Sequence, residues 1–349
     1  MTETTATTAK THKIKLFAAD ALLWLSLCVL LAQGFSGANI IGRYSAISLR
    51  FDTPISGQTA HGARQYSITS NLESPFWPTF WYEHIASFSS TFVTLNAAAI
   101  LFSGDASLIW PAVYIAGSAP SSIDNVGMAV SEALAWRLWG SNDVIGMSAE
   151  VDGEERIVRG VFEGDTELAL ISFHIEDTSQ SWSAVELSGG PEHAMRRDAE
   201  NFAITAGLGQ PDSILMSGSK AFAFALAILP LIIPATYALA RIIGFIKKQY
   251  PMASAPLFFF SLTVLALLLP GMLEMLPAWL IPTRWSDFPF WASLLQQARD
   301  GLREFLHTSP RLIDVELRML LLKQSGIAFL AICCSISVCF RWHMRQQNT

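Results

Sequence analysis

The sequence predicts an α-helical membrane protein with four transmembrane helices and an inserted α/β (α+β) extracytoplasmic domain. Three observations lead there. The 349 residues are 51% hydrophobic and only 15% charged, too apolar for an ordinary soluble chain. Four apolar stretches, residues 14–35, 221–246, 255–281 and 320–340, are long enough to cross about 30 Å of hydrocarbon as helices of about 20 residues. With the N-terminus inside, Lys10, Lys13 and Lys15, then Arg241, Lys247 and Lys248, then Arg341 and Arg345 all fall on the cytoplasmic side, as the positive-inside rule requires.

Residues 1–13 are Thr-rich and expected to be disordered in the cytoplasm. The first apolar stretch, 14–35, follows lysines like a signal peptide. It is longer than the usual h-region, however, and residues 33–38 make a poor cleavage site, so it reads as a retained anchor. A fifth apolar region, 91–115, contains Gly104, Asp105 and Pro111, and a span there would split the basic residues between the two sides.

Residues 36–217 form the extracytoplasmic domain. They carry 21 Asp or Glu against 8 Arg, and no lysine occurs between Lys15 and Lys220. Such a surface is solvated and acidic, which excludes nucleic acid as a partner class. Residues 40–68 mix β-prone residues with Gly and Pro, and the aromatic stretch 77–120 is expected to build the core. Residues 168–175 and 182–187 read as strands, and 191–206 as a helix ended by Gly207, with Met195, Ala199, Phe202 and Ala203 on its buried stripe.

Residues 130–163, VSEALAWRLWGSNDVIGMSAEVDGEERIVRGVFE, are the most informative. Ser131 is a good N-cap for a short helix over 132–139, and Gly140 stands where a left-handed cap is wanted. Two β-prone runs follow, 147–151 and 156–161, and Asp152-Gly153 between them is a hairpin signal. The order Ser131-Glu132, Ala133-Leu134, Trp139-Gly140, Ile145-Gly146, the hairpin at Gly153, and Val158-Arg159-Gly160-Val161 resembles the periplasmic core domain of MacB/FtsX-type ABC transporter permeases. Ser131, Glu132, Leu134, Gly140, Gly146, Gly153 and Gly160 carry that resemblance.

The resemblance implies a multi-pass subunit of the cell (inner, cytoplasmic) membrane with both termini inside. It also implies a homodimer or a heterodimer with another permease, and an extracytoplasmic protein or exported substrate. It implies further that membrane lipid surrounds the spans and that ATP is used only through a partner ABC ATPase subunit. One departure is plain. Permeases of this type carry a cytoplasmic coupling helix between the second and third spans, whereas here residues 244–254 are short and lack its motif. Lys247, Lys248 and Gln249 are the candidate coupling loop that remains.

Residues 282–319 are expected to form an extracytoplasmic loop. Within it 294–306 is amphipathic, fit either to lie on the outer membrane surface or to pack on the external domain. Residues 341–349 form a cytoplasmic tail. Asp20 and Glu274 lie inside apolar stretches, where ionisable groups are costly and often functional. Pro230 and Pro234, and Pro270-Gly271, should kink their helices.

Catalysis has no support in the sequence. Residues 187–191, LSGGP, imitate an ABC signature, but the chain has no Gly-Lys pair and hence no phosphate loop. The seven histidines show no metal-ligand spacing, no serine stands in a GxSxG elbow, and all four cysteines fall within apolar stretches. No cofactor is expected to bind directly.

Overall fold

The computed structural model describes residues 2–44, 46–70, 73–91, 93–174, 176–190, 196–215, 219–249 and 309–347, with scattered positions between 250 and 308. The third apolar stretch, Glu274 and the amphipathic segment 294–306 lie outside the described run of residues. Two compact units are present: residues 1–42, 218–277 and 316–349 form one, and residues 43–217 and 278–315 the other.

The second unit is built on one mixed sheet of ten strands. In chain order its elements are β1 (Ile47–Ser56), α2 (Gly57–Thr69), β2 (Phe76–Ser89), β3 (Thr94–Ser103), α3 (Ala106–Ile109), β4 (Tyr114–Gly117), β5 (Gly127–Ser131), α4 (Glu132–Trp139), β6 (Ser148–Val151), β7 (Glu154–Phe162), β8 (Leu168–Ser172), β9 (Ser181–Gly189), α5 (Arg196–Thr205) and β10 (Ser213–Leu215). The strand order is β10-β1-β9-β2-β3-β8-β5-β7-β4, with β6 pairing β2 and β7. β3 runs parallel to β8 and β5 to β7, and the other pairs are antiparallel.

Because strand side chains alternate, the sheet sorts its residues onto two faces. One face carries Leu49, Phe51, Phe80, Phe88, Val130, Ile171 and Val185 under Ala60 and Ala63 of α2, Leu134 and Leu138 of α4, and Phe202 of α5. The other carries Trp81, Ile100, Phe102, Phe162, Leu168 and Leu170 against α3 and Ile313. Each fully buried side chain of this size contributes about 1.5–3 kcal/mol of transfer free energy, so both faces are needed to hold the sheet.

Several expectations hold. Strands at 168–172 and 181–189 replace the expected 168–175 and 182–187, and α5 buries Ala199, Phe202 and Ala203 before Gly207 closes it at φ 79°. Met195 is outside the described residues. The rejected fifth span is β3, α3 and β4 of the external unit. α2 was not legible in the sequence. Its buried face is Gly57, Ala60, Ala63, Arg64 and Ser67, too small and polar to show an apolar period, and Ser56 caps it by accepting from Thr59 N at 3.2 Å.

The first unit contains α1 (Thr2–Ile41), α6 (Ser219–Gln249) and, from Glu316 onward, the helix α7 (Leu312–Gln347). Among the described residues, three stretches are long and apolar enough to cross a membrane: Ala19–Ile41, Phe222–Arg241 and Leu312–Met344. Three boundaries are corrected. α1 is helical from Thr2, where an unstructured 1–13 was expected, because residues 2–13 contain neither Gly nor Pro and extend a helix already nucleated in the apolar stretch. It also runs past residue 35 to Ile41, so the external unit starts at Arg43 rather than 36. α7 exceeds 320–340 at both ends, taking residues 312–319 from the expected loop and most of the expected tail.

Polar contacts fasten the helices of this unit. Gln324 is buried on α7, and its Nε2 donates to Gly34 O at 2.9 Å and Ala223 O at 3.3 Å. Gly37 allows this approach, since a Cβ there would stand 2.4 Å from Gln324 Oε1. Pro234 has no N–H for the carbonyl of Pro230 four residues earlier. Ser335 Oγ on α7 donates to that carbonyl at 2.8 Å. Ser335→Ala should therefore lower the stability of the full chain in detergent by about 1 kcal/mol, the size of a buried interhelical hydrogen bond. A thermal melt unchanged by the substitution would show that the carbonyl finds another donor. The cysteines Cys28, Cys333, Cys334 and Cys339 lie on α1 and α7 and are free.

Candidate functional site

The residues of the 130–163 motif occupy the roles their chemistry requires. Ser131 is fully buried. Its Oγ accepts from Leu134 N at 3.2 Å, capping α4, and from Leu168 N at 3.1 Å, so the start of α4 is tied to the start of β8. Glu132 accepts from Asn142 Nδ2 at 2.6 Å, and Leu134 is buried in the core. Gly140 ends α4 at φ 70°, Gly146 has φ 83° and donates to Val158 O at 2.8 Å, and Asp152 and Gly153 form the hairpin turn at φ 49° and 90°. Gly160 is needed for another reason: a Cβ there would lie 2.3 Å from Ser118 O in the neighbouring chain segment.

The hairpin tip is clamped to β2. Asp152 accepts from Ser87 N at 2.8 Å and pairs with His84 Nε2 at 2.9 Å. Burial alone would raise the Asp152 carboxyl, but the His84 and Ser87 hydrogen bonds and the imidazole charge outweigh it and hold it below its ordinary value. A depressed carboxylate gives stability that is present above its unfolded pKa, about 3.9, and lost as pH falls through the lower folded value. The clamp should thus weaken only below about pH 4. Because the carboxylate is half exposed, the loss should be about 1 kcal/mol or less. Comparing acid melts of the native chain and Asp152→Asn checks this, and an identical acid dependence of the two would count against it.

A second polar cluster lies on the other face of the sheet, where β1, β9 and β2 are neighbours. Leu49 and Val185 face the core there, so Arg50 of β1 and Glu186 of β9 face the opposite way, with Trp81 and Glu83 of β2. Glu186 Oε1 accepts from Ser48 Oγ at 2.6 Å and from Trp81 Nε1 at 3.0 Å, with Arg50 Nη2 at 3.7 Å. The strap 311–315 crosses this face and opens α7. Arg50 Nη2 pairs with Asp314 Oδ1 at 3.1 Å, both side chains being buried. Asp314 Oδ2 also accepts from Arg311 N at 3.1 Å, the backward half of a capping box.

Glu83 Oε2 caps the same helix from the sheet, accepting from Leu312 N at 2.9 Å. Two carboxylates thus meet the positive end of the helix dipole. Arg311 Nη2 donates to Ser183 O at 2.8 Å, and the guanidiniums of Arg311 and Arg50 lie 5.0 and 4.7 Å from the Trp81 ring centre. Arg50 Nε and Nη1 have no hydrogen-bond partner among the described residues, so this side chain relies on charge and on the indole face.

Electrostatics reflect the burial. Desolvation pushes the Glu186 carboxyl up against the opposing pull of Arg50, Ser48 and Trp81. It also pushes Glu83 up, partly offset by Leu312 N–H, and brings Arg311 down to about 10. The arrangement holds a helix start against a sheet, and no group of three or more His, Cys, Asp or Glu that could hold a metal occurs among the described residues.

The other sequence candidates fall elsewhere. Lys247, Lys248 and Gln249 are the last turn of α6 rather than a loop, because the helix runs on through the apolar and basic residues before Pro251. Asp20 of α1 pairs with Arg341 Nε of α7 at 2.8 Å. Glu274 lies outside the described residues. Sequence reasoning missed Arg50, Glu83, Glu186, Arg311 and Asp314. Its available signal was one charge of opposite sign inside each of two apolar strands, ISLRF and AVELS.

No family model and no curated protein matches this chain. Solved structures give distant likenesses. The extracellular domain of a noncanonic ABC-type transporter, YknZ, from Gram-positive bacteria is 10% identical, with 48% of this chain and 97% of that chain covered and a TM-score of 0.39. The periplasmic region of MacB from Actinobacillus actinomycetemcomitans is 9% identical, with 52% of this chain and 92% of that chain covered and a TM-score of 0.40. At that distance a shared outline passes no function from one chain to another.

Proposed function

We propose that this chain is a permease-like subunit of an ABC-type export or mechanotransmission complex, without an ATPase of its own. The observation that carries the reading is the 130–163 unit, whose capping serine, turn glycines and close-packed Gly160 all serve the local fold in the order that resembles MacB/FtsX-type permeases. It sits in a domain whose neighbours in the chain, α1 and α6, are each long and apolar enough to cross a membrane. Within the external unit, residues 311–315 are fastened to the sheet by buried charges, Asp314 pairing with Arg50 and Glu83 capping Leu312 N.

A non-transporting membrane-anchored sensor or scaffold is the second reading. The observation favouring it is that Lys247–Gln249 continue α6 and supply no separate coupling helix. A photoreactive residue at position 249, used in native membranes, separates the two. A crosslink to an ATPase supports the first reading, and one to a second permease subunit that itself holds an ATPase supports it as a heterodimer. The absence of any ATPase in the crosslinked or co-purified material, with an envelope protein bound to the external domain, would leave the scaffold.

A further inference from the structure

The ten-stranded sheet ends on two strands, β10 and β4. Ser213 and Ile214 of β10 are buried, whereas Ile115 and Gly117 of β4 are exposed. Among the described residues β4 pairs only with β7, so its outer side offers backbone groups without a ladder partner. Charged side chains commonly guard such an edge. Here no charged residue occurs between Asp105 and Asp124. Proline brackets the edge instead, at Pro111 and Pro120, and since proline has no N–H a ladder can run only over 112–119. The register shifts between Tyr114 and Ala116, which makes Ile115 the extra residue of a bulge, a device that re-aims a side chain.

Apolar side chains gather at this edge. Val113 and Ile115 of β4, and Ile145 and Met147 before β6, are each 44–48% exposed. β6 pairs with the side of β7 that also carries β4, because Ile157 has Gly127 of β5 on one side and Ser148 of β6 on the other. Ile145 reaches β4 itself: a Cβ on Gly117 would stand 2.9 Å from its Cδ1. The charge around these residues is negative. Glu163 N donates to Val113 O at 2.9 Å, which sets Glu163 beside β4, and Asp143 precedes Ile145 in the same segment. Both are exposed and enter no ion pair among the described residues. The nearby cation, Arg159, is already paired with Asp124 at 2.7 Å.

We propose that the β4 edge is a docking site for an extended segment of another protein, one in which apolar residues alternate with lysine or arginine. Added as a strand beside β4, such a segment satisfies the open backbone groups. Its apolar face covers Val113, Ile115, Ile145 and Met147, and its basic residues meet Glu163 and Asp143. Charge argues against a second copy of this chain as the occupant. Two β4 edges brought together would set Glu163 and Asp143 of one against those of the other, in domains that each carry 21 Asp or Glu against 8 Arg over 36–217. The proposal names a surface and a partner chemistry that hold for a permease subunit and for a scaffold alike.

The full chain in phosphatidylcholine nanodiscs is titrated with three synthetic peptides as long as the segment 112–119: alternating Lys and Val, alternating Glu and Val, and Lys alone. The Lys-Val peptide should bind about tenfold more tightly than either other, the scale of covering one apolar side chain. It should also slow amide hydrogen exchange over 112–119. Ile115→Lys, at an exposed position, should weaken the Lys-Val peptide about tenfold, and Val113→Lys serves if that variant does not fold. Glu163→Gln should weaken it less and flatten its dependence on salt. Equal binding of the three peptides, unchanged exchange over 112–119, or binding indifferent to Ile115→Lys would overturn the assignment. Protection of 112–119 that rises with protein concentration in the absence of peptide would overturn it too, in favour of a second copy. Failure here leaves the permease reading untouched, since that reading rests on the 130–163 unit and is tested from position 249.

Discussion

Asp314→Ala is expected to destabilise the full chain by about 3–5 kcal/mol, the usual result of removing one partner of a buried ion pair. Three contacts are lost at once. Arg50 keeps its buried charge but loses its 3.1 Å partner, Arg311 N loses its acceptor, and the first turn of α7 loses one of its two facing carboxylates. Glu186 compensates poorly, at 3.7 Å from Arg50 and already engaged by Ser48 and Trp81. Asp314→Asn should cost less, since it keeps the shape and an acceptor for Arg311 N. Pairing Asp314→Ala with Arg50→Met should cost less than the sum of the two single changes, because the unpaired charge disappears. Thermal melts and limited proteolysis between residues 309 and 315 read the effect. A loss under 1 kcal/mol, or strict additivity, would mean the strap is held by Leu312 and Ile313 packing alone.

Gly160→Val should be as damaging, by about 3 kcal/mol, at the upper end of overpacking costs. The clash is with backbone rather than a flexible side chain: the new Cβ would lie 2.3 Å from Ser118 O and 2.9 Å from Ser118 C. Strand β7 pairs with β5 on one side and β4 on the other, so β4 must part from it to admit any side chain. Gly160→Ala should already show most of the loss. Gly153→Ala provides the contrast. Its Cβ would meet nothing within 4 Å, and only the φ of 90° resists, so a loss of about 1–2 kcal/mol is expected. If Gly160→Ala proved milder than Gly153→Ala, the close approach of β4 would not be what the glycine serves.

The two expectations differ in how far the sequence revealed them. Gly160 was legible as part of a local pattern, because caps, hairpin turns and strand alternation are decided by residues within a few positions of one another. Ser131, Gly140, Asp152 and Gly153 belong to the same class. Their roles follow from φ/ψ preferences and short side-chain reach, which a single sequence carries in full. The apolar stretches were legible for a related reason, since membrane-length helices require a run of consecutive residues.

Helix α2 was hidden because its buried face is alanine, glycine and serine, and the period of so small a face is faint. The ends of α1 and α7 were misjudged because apolar length marks where a helix enters hydrocarbon and says nothing of how far it continues in water. The strap cluster was hidden more deeply: Arg50, Glu186 and Asp314 are separated by more than a hundred residues in the chain. Each looked like an ordinary charge, or at most an odd one in an apolar strand.

The amino-acid sequence by itself determined that membrane-length apolar stretches accompany a mixed α/β domain, and the local geometry of residues 130–163, because those depend on composition, run length and near-neighbour sterics. Only the tertiary structure decided that Arg311–Val315 belong to the external unit and that Arg50, Trp81, Glu83, Glu186 and Asp314 meet there. That meeting depends on the strand order β1-β9-β2, which places distant segments side by side, and on the low-dielectric face where opposite charges must find each other once water is excluded.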